Sequence, residues 1–109
     1  MREMREPTWL VLTALAGAER LHGYGIIKDV EVLSQGQLHL RAGTLYATLD
    51  RLAAEGLLRC DGEEIVEGRL RRYYCLSAPG RAELAAEAER RERIGRLALR
   101  RLSAAEGLA

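Results

Sequence analysis

The sequence predicts a mainly α-helical fold with one β-hairpin, in the order α-α-α-β-β-α. Leu45, Leu49 and Leu52 recur at the spacing of one helix face. Two extended arms follow, joined by a tight turn at Glu67-Gly68. An Arg- and Glu-rich stretch with Pro79 in its first turn then predicts a long last helix. Three helices followed by a two-stranded ribbon are typical of a winged helix-turn-helix, here extended by a C-terminal helix.

Length and composition narrow the function classes. A chain of 109 residues is one small domain with little room for a separate catalytic domain. We divide it into a winged helix-turn-helix over 1–78 and a dimerisation helix over 79–109. The net charge of +1 is low for a protein that coats nucleic acid non-specifically. Whether this chain binds nucleic acid therefore depends on how the charge is distributed over its surface. The chain shows neither a signal peptide nor an apolar run of about 20 residues, and we expect a cytoplasmic protein without membrane contact.

The first helix is expected to be buried on more than one side. Thr8 is its predicted N-cap, after Pro7, and an almost wholly apolar run over Trp9–Ala16 follows. Gly17 is the predicted stop. Residues 18–22 are expected to form a turn.

The second helix is predicted over about Gly23–Ser34. Two apolar sets lie at helical spacing, and either could face the core: Tyr24, Ile27 and Val30, or Ile26, Val30 and Leu33. The following loop, 35–40, is expected to offer a short strand through Leu38 and Leu40.

The third helix is predicted over about Gly43–Glu55, with Gly56 as its stop. At about 100° per residue, the face opposite the three leucines carries mainly polar and small side chains. These are Thr44, Ala47, Thr48 and Arg51, flanked by Tyr46 and Asp50.

The hairpin arms are predicted at about 57–66 and 69–76. Three arginines and no acid occupy the stretch after the turn: Arg69, Arg71 and Arg72. The acids Asp61, Glu63, Glu64 and Glu67 precede it, so positive charge is expected at the hairpin tip. Alternation turns Tyr74 and Leu76 to the core and Tyr73 outward, toward DNA or solvent.

The two cysteines depend on the register of this hairpin. A turn at Glu67-Gly68 with unbroken pairing places Cys60 opposite Cys75. Putting Leu58 on the face of Tyr74 instead requires a shift by one residue, which sends the cysteines to opposite faces. The core argument is stronger, and a functional disulfide is disfavoured.

The last helix is predicted over about Pro79–Leu102. Small and apolar residues recur at steps of four and three, a coiled-coil-like pattern, and exceed what one small domain can cover. We therefore expect a homodimer joined through this helix. The interface residues are Leu84, Ala88, Ile94, Leu97, Ala98 and Leu102.

Three blocks of this sequence resemble the PadR family of bacterial transcriptional regulators. They are His22-Gly23-Tyr24-Gly25-Ile26-Ile27, Gly43-Thr44-Leu45-Tyr46 with Glu55-Gly56-Leu57-Leu58, and Arg69 to Ser77 with Gly80-Arg81. The resemblance implies a homodimer that binds operator DNA through the third helix and the hairpin, or wing, with repression relieved by a small molecule or stress signal. It also implies that Trp9 lies near the partner's last helix and could line a pocket for a small hydrophobic effector. Ala42 and Ala47 depart from the serine and proline common in the family.

The predicted partner is double-stranded DNA with a palindromic operator, and no cofactor or metal is expected. Thr and Arg side chains suit phosphates and base edges, although a solvated helix face, a core Tyr24 and an ordinary surface Lys28 are alternatives. The candidates are Tyr24, Lys28, Arg41, Gly43, Thr44, Tyr46, Thr48, Arg51, Arg69, Arg71, Arg72 and Tyr73. No nucleophile–base pair or carboxylate pair points to an enzyme. A protein–protein interaction module is the alternative function.

Overall fold

The structure, a computed structural model, describes residues 4–108, apart from the side chain of residue 108. Seven elements follow in chain order: α1 (Glu6–Ala16), β1 (Leu21–His22), α2 (Gly23–Leu33), α3 (Ala42–Ala54), β2 (Leu58–Val66), β3 (Arg69–Leu76) and α4 (Ala78–Leu108). The winged helix-turn-helix and the long C-terminal helix are as the sequence predicts.

The sheet has a third strand where the sequence predicted a turn. Leu21 and His22 form β1 and pair antiparallel with Tyr74 and Tyr73, which gives the strand order β1-β3-β2. The expected strand through Leu38 and Leu40 is wrong. Residues 38–41 have no regular structure, and Leu40 is instead buried in the core.

Helix α1 begins three residues earlier than predicted, with Arg5 as its N-cap and Pro7 in its first turn. The expectation that Thr8 caps this helix is therefore wrong. Thr8 lies inside the first turn, where it is buried, and its hydroxyl accepts a hydrogen bond from the Arg51 guanidinium (2.7 Å).

The core lies where α1, α2, α3 and the inner end of the sheet meet. Leu45, Leu49 and Leu52 of α3 are fully buried, as their spacing predicts. In α2 the structure selects Ile26 and Val30 as core residues. Leu33 and Tyr24 are exposed. The exposed fraction of Tyr24 is 63%, so the Tyr24 ring is available at the surface.

The hairpin satisfies both registers that the sequence allowed. Near the tip Val66 pairs with Arg69 and Glu63 with Arg72, around a turn in which Glu67 and Gly68 both have positive φ. Near the core Leu58 pairs with Leu76 and Cys60 with Tyr74. A β-bulge between Cys60 and Glu63 absorbs the difference of one residue.

The bulge also determines which residues the two cysteines pair with across the hairpin. Cys75 faces Arg59 across the hairpin and is buried, whereas Cys60 is exposed. Both are free thiols, and the pairing near the core is the shifted register that the core argument predicts.

Helix α4 has 31 residues and is about 46 Å long at 1.5 Å per residue. Its first half packs on α1 and β3, and Leu84 contacts the core of its own chain. From Glu92 onward the described side chains are exposed. No described helix is both long and apolar enough to cross a bilayer.

Candidate nucleic-acid interface

The N-terminus of α3 is exposed and lacks a side-chain cap. Arg41 is the N-cap residue, in an extended conformation, and makes no capping hydrogen bond. Ala42, Gly43 and Thr44 in the first turn are all exposed. The first amides of a helix have no intrahelical acceptor and carry partial positive charge. This end of α3 can therefore receive an anionic group.

Tyr46 is held against the start of α2. Its hydroxyl oxygen would lie 2.5 Å from a Cβ atom at position 23, so the close approach requires Gly23. The Tyr46 side chain is still 44% exposed. A rigid aromatic group with an accessible edge is thus presented on the side of α3 that faces the wing.

Thr44, Thr48 and Arg51 form a separate stripe on α3, facing the N-terminal end of α1. The Thr48 hydroxyl donates to the Thr44 carbonyl (2.9 Å). The Arg51 guanidinium donates to Thr8 (2.7 Å) and to Glu55 (3.2 Å). Arg51 therefore fastens α3 to α1 and is not brought together with Tyr46.

The wing carries less free positive charge than the sequence suggests. Arg72 pairs with Glu63 across the hairpin, with Nε 3.0 Å from Oε1. This hydrogen bond is the main reason that the pKa of the Arg72 guanidinium is raised. Within residues 4–108 neither Arg69 nor Arg71 takes part in an ion pair.

A groove of about 560 Å³ separates the wing from the beginnings of α2 and α3. We call it the wing groove, and its lining residues are His22, Gly23, Tyr24, Tyr46, Val66, Glu67, Arg69, Leu70, Arg71 and Arg72. It brings together five of the predicted candidates from three elements. Lys28 stands one turn along α2, with Nζ 5.6 Å from the centre of the Tyr24 ring.

Tyr73 lies on the face opposite Tyr74, as alternation predicts, but it is only partly exposed. The Arg20 guanidinium lies 4.0 Å above its ring, and His22 meets it edge-on at 5.7 Å. Its hydroxyl donates to the Glu64 carboxylate. The ring is therefore part of the support of the wing.

Sequence reasoning missed Arg20 and His22. Burial lowers the pKa of the His22 imidazole, Arg71 lowers it further, and Glu64 opposes both. Its ring contacts place it between the wing and α2, since it stacks on Tyr24 with ring centres 6.5 Å apart and meets Tyr73 edge-on. Arg20 also donates to the Asp61 carbonyl, 41 residues away (3.1 Å), and no local spacing could reveal such a contact.

The predicted dimer-interface residues, Trp9 of α1 and six residues of α4, divide into a partly buried and an exposed group. Leu84 packs on its own domain, and Trp9 of α1 is half-buried beneath Arg91, whose guanidinium lies 4.5 Å from the indole centre. The others are exposed: Ala88, Ile94, Leu97, Ala98 and Leu102.

Among the described residues, no cluster of three His, Cys, Asp or Glu side chains has the arrangement to bind a metal ion.

Comparisons with known proteins agree with this architecture. Residues 11–86 match the transcriptional regulator PadR-like family. The transcriptional regulator Rv3488 of Mycobacterium tuberculosis is 36% identical over 81 residues, which cover 74% of this chain and 72% of that protein.

Two solved structures illustrate the fold. A PadR-like transcriptional regulator of Bacillus cereus is similar with a TM-score of 0.72 at 16% identity, covering 88% of this chain and 90% of that one. PadR of Bacillus subtilis, solved in complex with operator DNA, is similar with a TM-score of 0.67 at 22% identity. That match covers 79% of this chain and 48% of the longer Bacillus subtilis chain.

Proposed function

This chain belongs to the PadR-like family of transcriptional regulators, and we propose that it is a homodimeric repressor that binds a palindromic operator. The observation that carries the proposal is the wing groove, where Tyr24, Tyr46 and two arginines that form no ion pair within residues 4–108, Arg69 and Arg71, converge from three elements. A duplex docked there has α3 in its major groove and the wing on the adjacent backbone.

Helix α3 supplies the choice of sequence in this proposal. Its uncapped first turn, with Arg41, Gly43 and Thr44, anchors a phosphate. Tyr46 reaches base edges, because Gly23 fixes its ring while leaving its edge accessible. Thr48 stands at the margin of this surface, half-buried and bonded to the preceding turn.

The wing and α2 supply affinity. Arg69 and Arg71 neutralise phosphates, and each neutralised phosphate adds about 0.9 to the slope of log K against log salt concentration. Arg72 contributes less because it shares its charge with Glu63. Tyr24 and Lys28 lie next to each other at the surface and contact the backbone from the other side of the groove.

The proposed DNA surface excludes two of the original candidates. The polar atoms of Arg51 are bonded to Thr8 and Glu55. The hydroxyl of Tyr73 is bonded to Glu64, and the Arg20 guanidinium covers a face of its ring. Both residues serve the fold that presents the surface.

Dimerisation through the outer part of α4 completes the proposal. Ile94, Leu97 and Leu102 are exposed along a helix that projects from the domain. Pairing with a second copy covers them and sets two α3 helices at half-sites about 34–36 Å apart.

We further propose that release depends on a small hydrophobic effector close to Trp9. The indole is half-buried under Arg91 at the junction of α1 and α4. It is the only tryptophan of the chain, so its fluorescence reports directly on occupancy. Flat aromatic compounds that quench it and dissociate the DNA complex over the same concentration range support this role. Quenching without dissociation argues against it.

The decisive experiment measures binding to a duplex from the protein's own promoter and to a random duplex, at several salt concentrations. The combined substitution Arg69→Ala and Arg71→Ala is expected to weaken both complexes and to reduce the salt slope by about 2 per subunit. The control is Arg59→Ala with Arg81→Ala, which removes the same charge from a different surface hollow. Equal slopes for both variants contradict the assignment.

The alternative function, a protein–protein interaction module, predicts a different outcome. Such a module shows no difference between promoter and random duplex and little response to the wing substitutions. Replacing Tyr46, the side chain assigned to base edges, by Ala separates the two functions further. A sequence-specific DNA-binding protein loses about 1–3 kcal/mol of binding free energy for its operator per lost base contact, while its affinity for random DNA is nearly unchanged.

A further inference from the structure

Arg20 touches the wing at the one place where its two strands are irregularly paired. Its Nη1 donates to the carbonyl oxygen of Asp61 (3.1 Å), inside the bulge between Cys60 and Glu63. The next residue, Gly62, has φ +102, and a Cβ there would lie 3.0 Å from the same Nη1. The guanidinium thus occupies the space that a glycine leaves open.

The same guanidinium also holds the opposite strand. Its central carbon lies 4.0 Å above the Tyr73 ring, within the range of a cation–π contact. Tyr73 belongs to β3 and Asp61 to β2. Arg20 therefore bridges both strands of the hairpin at the level of the bulge.

Beyond the bulge little else supports the wing. Most side chains from Glu63 to Arg72 are exposed, and the described contacts there join one arm of the hairpin to the other. A bulge bends a hairpin and is a natural point of flexure. The direction of the tip, with Arg69 and Arg71, thus depends on what fixes the bulge to the domain.

We infer that Arg20 is a positioning residue that sets the angle of the wing, by clamping the bulge at Asp61-Gly62 against Tyr73. This inference rests on the proposed binding of DNA by the wing. Arg20 itself does not contact the phosphates; it lowers the cost of ordering the tip when DNA binds.

The test is a double-mutant cycle on the full-length chain. Arg20→Ala is expected to raise the dissociation constant for the promoter duplex by about tenfold, and by less than about twofold when Arg69 and Arg71 are already alanine. Arg20→Lys is expected to behave like the alanine variant, because a lysine keeps the charge but loses the planar stack and the directed hydrogen bond. Arg59→Ala, on the same strand as the bulge, is the charge-matched control and is expected to have little effect.

Hydrogen exchange provides a readout that needs no DNA. In Arg20→Ala the amides of residues 63–72 are expected to exchange about tenfold faster, while those of the buried α3 turns stay protected. Gly62→Ala is expected to act in the same direction, because its Cβ meets the guanidinium and because φ +102 strains any residue with a side chain. Arg20→Ala is therefore the variant that isolates the clamp. The exchange measurements test the role of Arg20 even if the chain does not bind the duplex at all. That result would refute the proposed function alone.

Several outcomes overturn the inference. They are full rescue by lysine, losses that add to those of the wing arginines, or a salt slope reduced by about 1, each of which makes Arg20 a direct phosphate contact. Unchanged exchange at 63–72 in Arg20→Ala overturns it as well.

Discussion

Helix α4 contains the same kind of ion pair twice, in two different surroundings. Glu87 pairs with Arg91 and Glu92 pairs with Arg96, both at i,i+4 with the acid first. Glu87 is only 5% exposed and accepts hydrogen bonds from Arg90 as well as Arg91. The side chains of Glu92 and Arg96 are 62% and 67% exposed.

The two pairs have the same spacing, so their surroundings determine whether a pair anchors the helix to the rest of the domain or remains solvated. Arg91 reaches beyond its helix to Glu6, to the Met4 carbonyl and to the face of Trp9. Arg96 has only Glu92 among the described contacts. The first pair therefore ties α4 to α1, and the second leaves the outer part of α4 available for a partner.

The largest effect is expected from removing the outer part of α4. A chain ending at Arg91 keeps the anchor and loses the exposed residues Ile94, Leu97 and Leu102. We expect a folded monomer whose affinity for a palindromic operator falls by about 100-fold or more, because two linked half-sites become independent. Analytical ultracentrifugation measures the first outcome and a titration with duplex the second.

The full-length control is Ile94→Asp with Leu97→Asp, which should give the same folded monomer, with a melting temperature that no longer depends on protein concentration. A truncated chain that remains a tight dimer would place the interface elsewhere, on α1 around Trp9.

The second effect in size concerns the anchor itself. Arg91→Ala leaves Glu87 with one arginine and uncovers the Trp9 ring. Because a nearly buried carboxylate loses a partner, we expect the melting temperature to fall by about 5–10 °C. The emission of Trp9 should also shift to longer wavelength. A stable variant with unchanged emission would show that the anchor does not hold α4.

Much of the fold could be predicted from the sequence, because strong periodicity marks it. The leucines of α3 and the turn at Glu67-Gly68 are local signals, and the structure has both. Strand β1 has only two residues and owes its existence to pairing with Tyr73 and Tyr74. A segment that short carries no pattern of its own.

The site was predicted less completely, since its support comes from residues distant in sequence. Two hairpin registers were compatible with the sequence, and Gly62 is the signal that could have joined them, since a glycine within a strand often marks a bulge. Arg51 had the spacing of the outer face of α3, but Thr8, 43 residues away, holds it. Only the packed chain reveals such partners.

A smaller effect is expected from Glu87→Gln, and it depends on pH. Hydrogen bonds from Arg90 and Arg91 lower the pKa of the Glu87 carboxyl from 4.5 to about 2. A depressed folded-state pKa adds stability above the unfolded value, and this is lost as pH falls through the folded value. The wild-type protein should thus have a higher melting temperature than Glu87→Gln at pH 7. The difference between the two melting temperatures should disappear as the pH falls from 4.5 to about 2. Thermal melts across that range measure it, and a constant gap would contradict the assignment.

The smallest effect is expected from Arg96→Ala, the solvent-exposed counterpart of Arg91→Ala. Exposed i,i+4 pairs are screened by water and salt, and their formation costs side-chain entropy, so the change in melting temperature should be about 2 °C or less. Added salt should abolish even that difference. Calorimetry of the two variants under identical conditions compares the pairs directly. If Arg96→Ala destabilised the chain as much as Arg91→Ala, the outer pair would have to be covered in solution, and the partner subunit would be what covers it.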